Sequence, residues 1–223
     1  MYHGRRPIFP PIHDKNDVYL PENLVTLSNH AAIGDLITPG PGALDLLYIL
    51  RLLRLIVIVR DEISIMPEMQ STMRVLLLRA DRCILELLIM SKQNSSISSL
   101  VQIANSASHV LLHRALRNVP KNSLIFHNLL KRLRINLDHR NIEEFDSVGP
   151  SITLLWALVV GVAATYDLPE QNMWFLSRLT AEFSTFNQRH AMSRSQLEQR
   201  LNSFVWLKTM CEPVLDALWD SHR

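Results

Sequence analysis

From Ala43 onward, hydrophobic residues recur three and four positions apart along almost the whole chain, the spacing of one face of an α-helix. The pattern predicts a first helix from about Ala43 to Glu62, apolar on most sides as a central helix is. Pro67 suits the first turn of a second helix that continues to about Met90. In that helix Val75, Leu78, the stem of Arg82, Leu85 and Ile89 keep the 3–4 spacing. The serine-rich stretch Gln93 to Ser99 reads as a polar loop able to cap a third helix, from about Ser96 to Asn118, which Pro120 ends. Asn122 or Ser123 caps a fourth helix, to about Leu137, and Asp138 to Gly149 is a polar connection and the best internal break. Three more segments follow: Ser151 to Thr165, Pro169 to Gln188 with Asp167 as its cap, and Ser195 to Trp219. The last opens with Ser195-Gln-Leu-Glu198, which fits a capping box, and Pro213 inside it is expected to kink or restart the helix. Leu197, Leu201, Phe204, Cys211, Leu215 and Leu218 form the one sustained heptad-like series.

The first 42 residues differ. They hold Pro7, Pro10, Pro11, Pro21, Pro39 and Pro41, six of the eleven prolines, and read as an extended arm ending in the turn Pro39-Gly40-Pro41-Gly42. Leu24 to Ile37 retains the spacing of a short helix. The expected fold is therefore all-α, with an irregular arm over 1–42 and a single domain of about seven helices over 43–223. Arg5 and Arg6 are not followed by an apolar run, so no secretory signal is expected. Asp45, Arg51 and Arg54 interrupt the run Ala43 to Val59. The uncharged run Ile152 to Ala164 has the length of a buried core helix, and a span needs about 20 apolar residues, so no membrane partner is expected.

Composition supports this reading and narrows the chemistry. Of 223 residues, 48 % are hydrophobic and 20 % charged, enough to bury a core, while only 6 are glycine. A net charge of +2 implies no polyanionic partner by itself. Two cysteines, Cys83 and Cys211, make no disulfide framework and read as buried thiols. No G-x-S-x-G elbow, P-loop or dinucleotide loop is present, and the acidic pairs Asp61-Glu62 and Glu143-Glu144 are adjacent residues that point apart on a helix. No catalytic, cofactor-binding or metal-binding residues are assigned, and no enzyme is expected. His109 and His113, four apart, share a helix face, but no third metal ligand lies near them in sequence, so they read as two polar residues on that face. Arg114, Arg117, Lys121, Lys131, Arg132, Arg134 and Arg140 face only Asp138, while Leu129, Leu130, Leu133 and Leu137 interleave at helical spacing. That is an amphipathic helix with a basic face, and with no DNA-reading module no sequence-specific nucleic-acid binding is expected.

The C-terminal third carries a more particular order of residues. Leu154-Leu155-Trp156-Ala157-Leu158 is followed by Gly161-Val162-Ala163-Ala164, then by Trp174-Phe175-Leu176-Ser177-Arg178-Leu179. Phe204-Val205-Trp206-Leu207, Cys211-Glu212-Pro213 and Leu218-Trp219 complete it. This order resembles the fungal-specific transcription factor domain, the all-helical regulatory region of fungal zinc-cluster transcription factors. The six-cysteine zinc module of that family has no counterpart among two cysteines, so the resemblance implies the regulatory part without direct DNA contact. It implies a nuclear protein, or alternatively a cytoplasmic one, that acts on a protein partner, on its own copy or on a small-molecule effector, without a cofactor. The alternative reading is a small helical accessory protein of a biosynthetic pathway with no transcriptional role. Independently of the family, Gly161, Ala163 and Ala164 permit close helix approach, Trp156 fills the adjoining volume, and Phe175, Leu179, Phe183 and Phe186 form one core stripe.

Overall fold

Gly42 opens the first helix with φ of 78°, a conformation that costs glycine little, and its carbonyl accepts the Leu46 amide at 3.0 Å. In this computed structural model, residues 40–62, 69–139 and 151–221 are described. Most of the proline-rich arm, the Leu24 to Ile37 segment, Pro67, Arg140, the Glu143-Glu144 pair and the side chains of Asp61 and Glu62 lie outside the described residues. The elements are α1 (Ala43–Glu62), α2 (Met69–Gln93), α3 (Ser99–Leu111) and a π-helical turn (Leu112–Leu116). They continue as α4 (Leu124–Asp138), α5 (Ile152–Ala164), α6 (Pro169–His190), α7 (Arg194–Leu201) and α8 (Lys208–Asp220). Among the described residues there is no strand, and the fold is all-α in one domain. No helix among them is long and apolar enough to cross a membrane.

The caps explain several boundaries. Ser98, Ser123 and Ser151 each accept the backbone N–H three residues ahead, at 3.3, 3.2 and 3.2 Å, and so start α3, α4 and α5. Asp167 does not cap α6. Its carboxylate meets Lys121 at 3.2 Å and Arg114 at 3.5 Å, and Leu168 begins the helix with Pro169 in its first turn. The expected single C-terminal helix is two. Its capping box is formed by Ser193 and Gln196, not by Ser195 and Glu198, and the chain breaks after Leu201, well before Pro213. The break is held by Arg54 of α1, whose guanidinium donates to the Asn202 carbonyl at 3.0 Å. Pro213 lies within α8.

One hydrophobic core joins all these helices. α3 packs against α1, α2, α4 and α5, and α5 packs in turn against α6, α7 and α8. Nearly every residue of α5 is buried, as an uncharged helix requires in water. Trp156, fully buried, stacks on Phe204 with centroids 5.1 Å apart. Gly161 faces the ring of Phe175 so closely that a Cβ there would lie 2.4 Å from Cδ1. Phe175, Leu179, Phe183 and Phe186 are buried together, as are the six positions of the heptad-like series in α7, α8 and the segment between them. Cys83 and Cys211 are buried thiols, and burial pushes them up to about 12 and about 11.

α2 departs from the usual relation between spacing and burial. Its inward face is Met69, Leu76, Ala80, Cys83, Ile84 and Leu87. The apolar series of 3–4 spacing lies outward, with Leu78 67 %, Ile89 54 %, Leu85 42 % and Val75 40 % exposed. The helix thus has two apolar faces, and α1 and α3 cover one of them.

Candidate functional site

Three segments converge on a carboxylate supplied by a fourth. Asp81 comes from the inner side of α2, His109 from the last turn of α3, His113 from the π-helical turn, and Arg117 from the residue after that turn. His109 Nε2 lies 3.1 Å and His113 Nε2 3.3 Å from Asp81 Oδ1, and Arg117 Nη1 donates to Oδ2 at 3.0 Å. Arg117 also donates to the Leu77 carbonyl at 3.1 Å. From α4, Arg132 donates through Nη2 to Nδ1 of His109. The π-helical turn makes this assembly reachable. Its wide backbone closes with the Arg117 amide on the Leu112 carbonyl at 2.9 Å, and Asn118 then takes φ of 51° as the chain leaves toward α4.

The electrostatics follow from burial. Burial alone would raise the Asp81 carboxyl, but the Arg117 guanidinium, the His113 hydrogen bond and the two imidazoles outweigh it and hold it below its ordinary value. His109 is pushed down to about 3, chiefly by burial and then by Arg132 and His113. Burial also lowers His113 against the pull of Asp81, and it lowers Arg132. At neutral pH the cluster is therefore one carboxylate, two guanidinium ions and two neutral imidazoles.

Asp81, His109 and His113 place their ligand atoms within 4.8 Å of one another, so Asp81 is the third group that the sequence near the histidines lacks. The residues nevertheless fit a divalent metal poorly. Donation by Arg132 needs the lone pair on His109 Nδ1, which leaves the proton on Nε2, the atom that would have to bind the ion. A ligating histidine needs the reverse arrangement, with its other N–H on an acceptor. Arg117 further shares the Asp81 carboxylate and adds a positive charge beside the site. Both Nε2 atoms lie against Asp81, and the remaining imidazole nitrogen, His113 Nδ1, is buried without a hydrogen-bond partner, as is Arg132 Nε. The arrangement does one thing well: it ties α2, α3, the π-helical turn and α4 together.

A second feature lies between α4 and α6. A cavity of about 140 Å³ is lined by the buried Leu130 and Phe175, with Trp174, Lys131, Arg134, His127 and Gln171 around them. The Arg134 guanidinium stands 4.7 Å over the Trp174 ring.

The basic face expected along α4 is dispersed. Arg117 and Arg132 turn into the buried cluster, Arg114 and Lys121 meet Asp167, and Arg134 meets Asp138 at 3.8 Å and Trp174. His109 and His113 are buried and are not surface residues of a helix face. Spacing along the chain does not join Asp81 or Arg117 to the two histidines. The one local signal for Asp81 is a lone acid among the inward-facing Ala80, Cys83 and Ile84 of α2.

Comparison of the chain with protein-family models, with characterised proteins and with solved structures gave no match.

Proposed function

We propose that this chain is a non-catalytic helical regulatory domain that acts by protein contact, of the kind that its C-terminal third resembles in fungal zinc-cluster transcription factors. The observation that supports this best is the outward stripe of α2. Val75, Leu78, Leu85 and Ile89 are all at least 40 % exposed, in a helix whose opposite face is fully committed to the core. Ordered apolar surface of this kind is what a partner helix covers. The ionic cluster around Asp81, by contrast, is spent on linking helices, and the basic side chains near α4 are largely paired within the chain, which agrees with regulation without sequence-specific DNA contact.

The cavity beside Trp174 favours an effector as a second ligand of the same domain. Its cations and aromatic wall suit a small anion, with Arg134 already stacked in place.

The reading is tested by tethering the full chain to a promoter through an unrelated DNA-binding module in a fungal host. A change in reporter output that Leu85→Glu abolishes, at equal protein level, is the expected result. Output equal to that of the bare DNA-binding module overturns the transcriptional reading and leaves the accessory-protein alternative.

A further inference from the structure

We infer that the outward stripe of α2 is a self-association surface, on which a second copy of this chain packs the same helix in antiparallel orientation. The inference rests on the proposed reading of the domain as one that acts by protein contact, and it names the partner.

The stripe has the arithmetic of a two-stranded helical seam. Val75, Leu78, Arg82, Leu85 and Ile89 alternate in steps of three and four, the a and d positions of a heptad. From Val75 to Ile89 it runs about 21 Å at about 1.5 Å per residue, two full heptads. Such a repeat on a solvent-facing helix is not needed for the fold, because the core of α2 uses the opposite set of residues.

The flanking charges choose both the occupant and its direction. Arg79 and Glu86 follow the d positions Leu78 and Leu85, while Arg74 and Asp81 precede the a positions Val75 and Arg82. In a parallel pair, Arg82 would face Arg82 in the seam and Arg74 would face Arg79, while Asp81 is turned inward onto His109, His113 and Arg117 and takes no part. Both encounters join like charges. In an antiparallel pair with Leu78 opposite Ile89 of the second copy, Arg82 packs its stem beside Leu85. The register then places Arg79 of each copy beside Glu86 of the other, twice by symmetry. Among the described residues Arg79 and Arg74 form no ion pair, and Glu86 holds Arg82 at 2.9 Å through Oε1, the oxygen on the stripe side, while its Oε2 is buried. The sequence of this one helix is therefore complementary to itself reversed. A seam of two heptads buries less than a standard interface, so the association is weak and reversible.

The test is sedimentation equilibrium of the full chain over a wide concentration range, with Leu85→Glu, Arg79→Glu and the double variant Arg79→Glu/Glu86→Arg alongside. The expected result is a reversible dimer that Leu85→Glu weakens by about tenfold or more without changing the unfolding temperature. Arg79→Glu weakens it by about two- to tenfold, and the double swap regains the loss. In a parallel seam Arg79→Glu would instead tighten the dimer by facing Arg74, so tightening overturns the inference, as does a dimer indifferent to Leu85→Glu. A Leu78→Cys variant, labelled with a thiol reagent, separates the remaining cases. A monomer at every concentration with the introduced thiol freely reactive overturns self-association and leaves the contact-domain reading standing. A monomer with the introduced thiol protected means that the chain covers its own stripe, and both readings fall.

Discussion

Trp156 in α5 donates its indole N–H to the carbonyl of Val205 at 3.0 Å, across 49 residues of sequence. The acceptor lies in the segment between α7 and α8, and Phe204 of the same segment stacks on the indole with planes 15° apart. One side chain thus supplies core volume and fixes where the C-terminal helices return to the bundle.

Trp156→Ala removes that volume and leaves a buried carbonyl without its donor. Large aromatic truncations in cores cost about 3–5 kcal/mol, against a typical domain stability of about 5–15 kcal/mol. The variant is expected to be barely folded or aggregated. Trp156→Phe keeps most of the ring stack but not the hydrogen bond and is expected to lose about 1–3 kcal/mol. Thermal and urea unfolding check both, and an unchanged unfolding temperature for Trp156→Ala would contradict the core assignment.

Gly161→Ala tests the close approach of α6. Alanine gains about 1 kcal/mol in helix propensity over glycine. The new methyl, however, would stand 2.4 Å from Cδ1 and 2.6 Å from Cε1 of the buried Phe175 ring. Overpacking costs about 1–3 kcal/mol and is expected to win, so the variant is less stable despite its better helix former. Phe175→Leu in the Gly161→Ala background should recover part of the loss in the same unfolding assay.

The pH dependence of stability reports on His109. Its folded value of about 3 lies below the ordinary 6.5, so between those two pH values the unfolded chain binds a proton that the folded chain does not. Stability is therefore full above about pH 6.5 and falls as the pH drops, at about 1.4 kcal/mol per pH unit for one whole proton. His113, also lowered by burial, adds loss of the same sign below about pH 6.5, and Asp81, held below its ordinary value, adds more in more acid solution. Urea unfolding at pH 7, 6 and 5 should show this slope, and His109→Gln should flatten it. A slope unaffected by the substitution would contradict a neutral buried His109.

Zinc should not stabilise the wild-type chain, because Arg132 keeps the His109 proton on the nitrogen that would have to ligate. Removing the guanidinium releases that constraint. Arg132→Met is expected to be less stable than wild type, yet to gain melting temperature with added zinc as Asp81, His109 and His113 become available, following the usual ligand linkage. A zinc-induced rise in the wild type, or a fall on adding chelator, would contradict the tautomer argument.

Local chemistry decided much of this molecule in advance. The bounds of α1, the serine cap of α4, the uncharged core helix around Trp156 and the buried thiols all follow from residue type and spacing, because a helix needs an apolar face and its first amides need acceptors. The C-terminal region shows where that reasoning stops. Ser193 and Ser195 are equally good caps locally, and the break after Leu201 is held by Arg54, 148 positions distant in sequence. α2 shows the same limit differently. Spacing identifies the Val75 to Ile89 stripe, but a helix with two apolar faces does not state which one the core will take, and packing against α1 and α3 chose the other. The ionic cluster lay furthest from local reading. His109, His113 and Arg117 are neighbours in sequence, but Asp81 and Arg132 reach them only after α2, α3 and α4 have packed, and burial by those helices is what turns five ordinary side chains into a neutral-imidazole clasp.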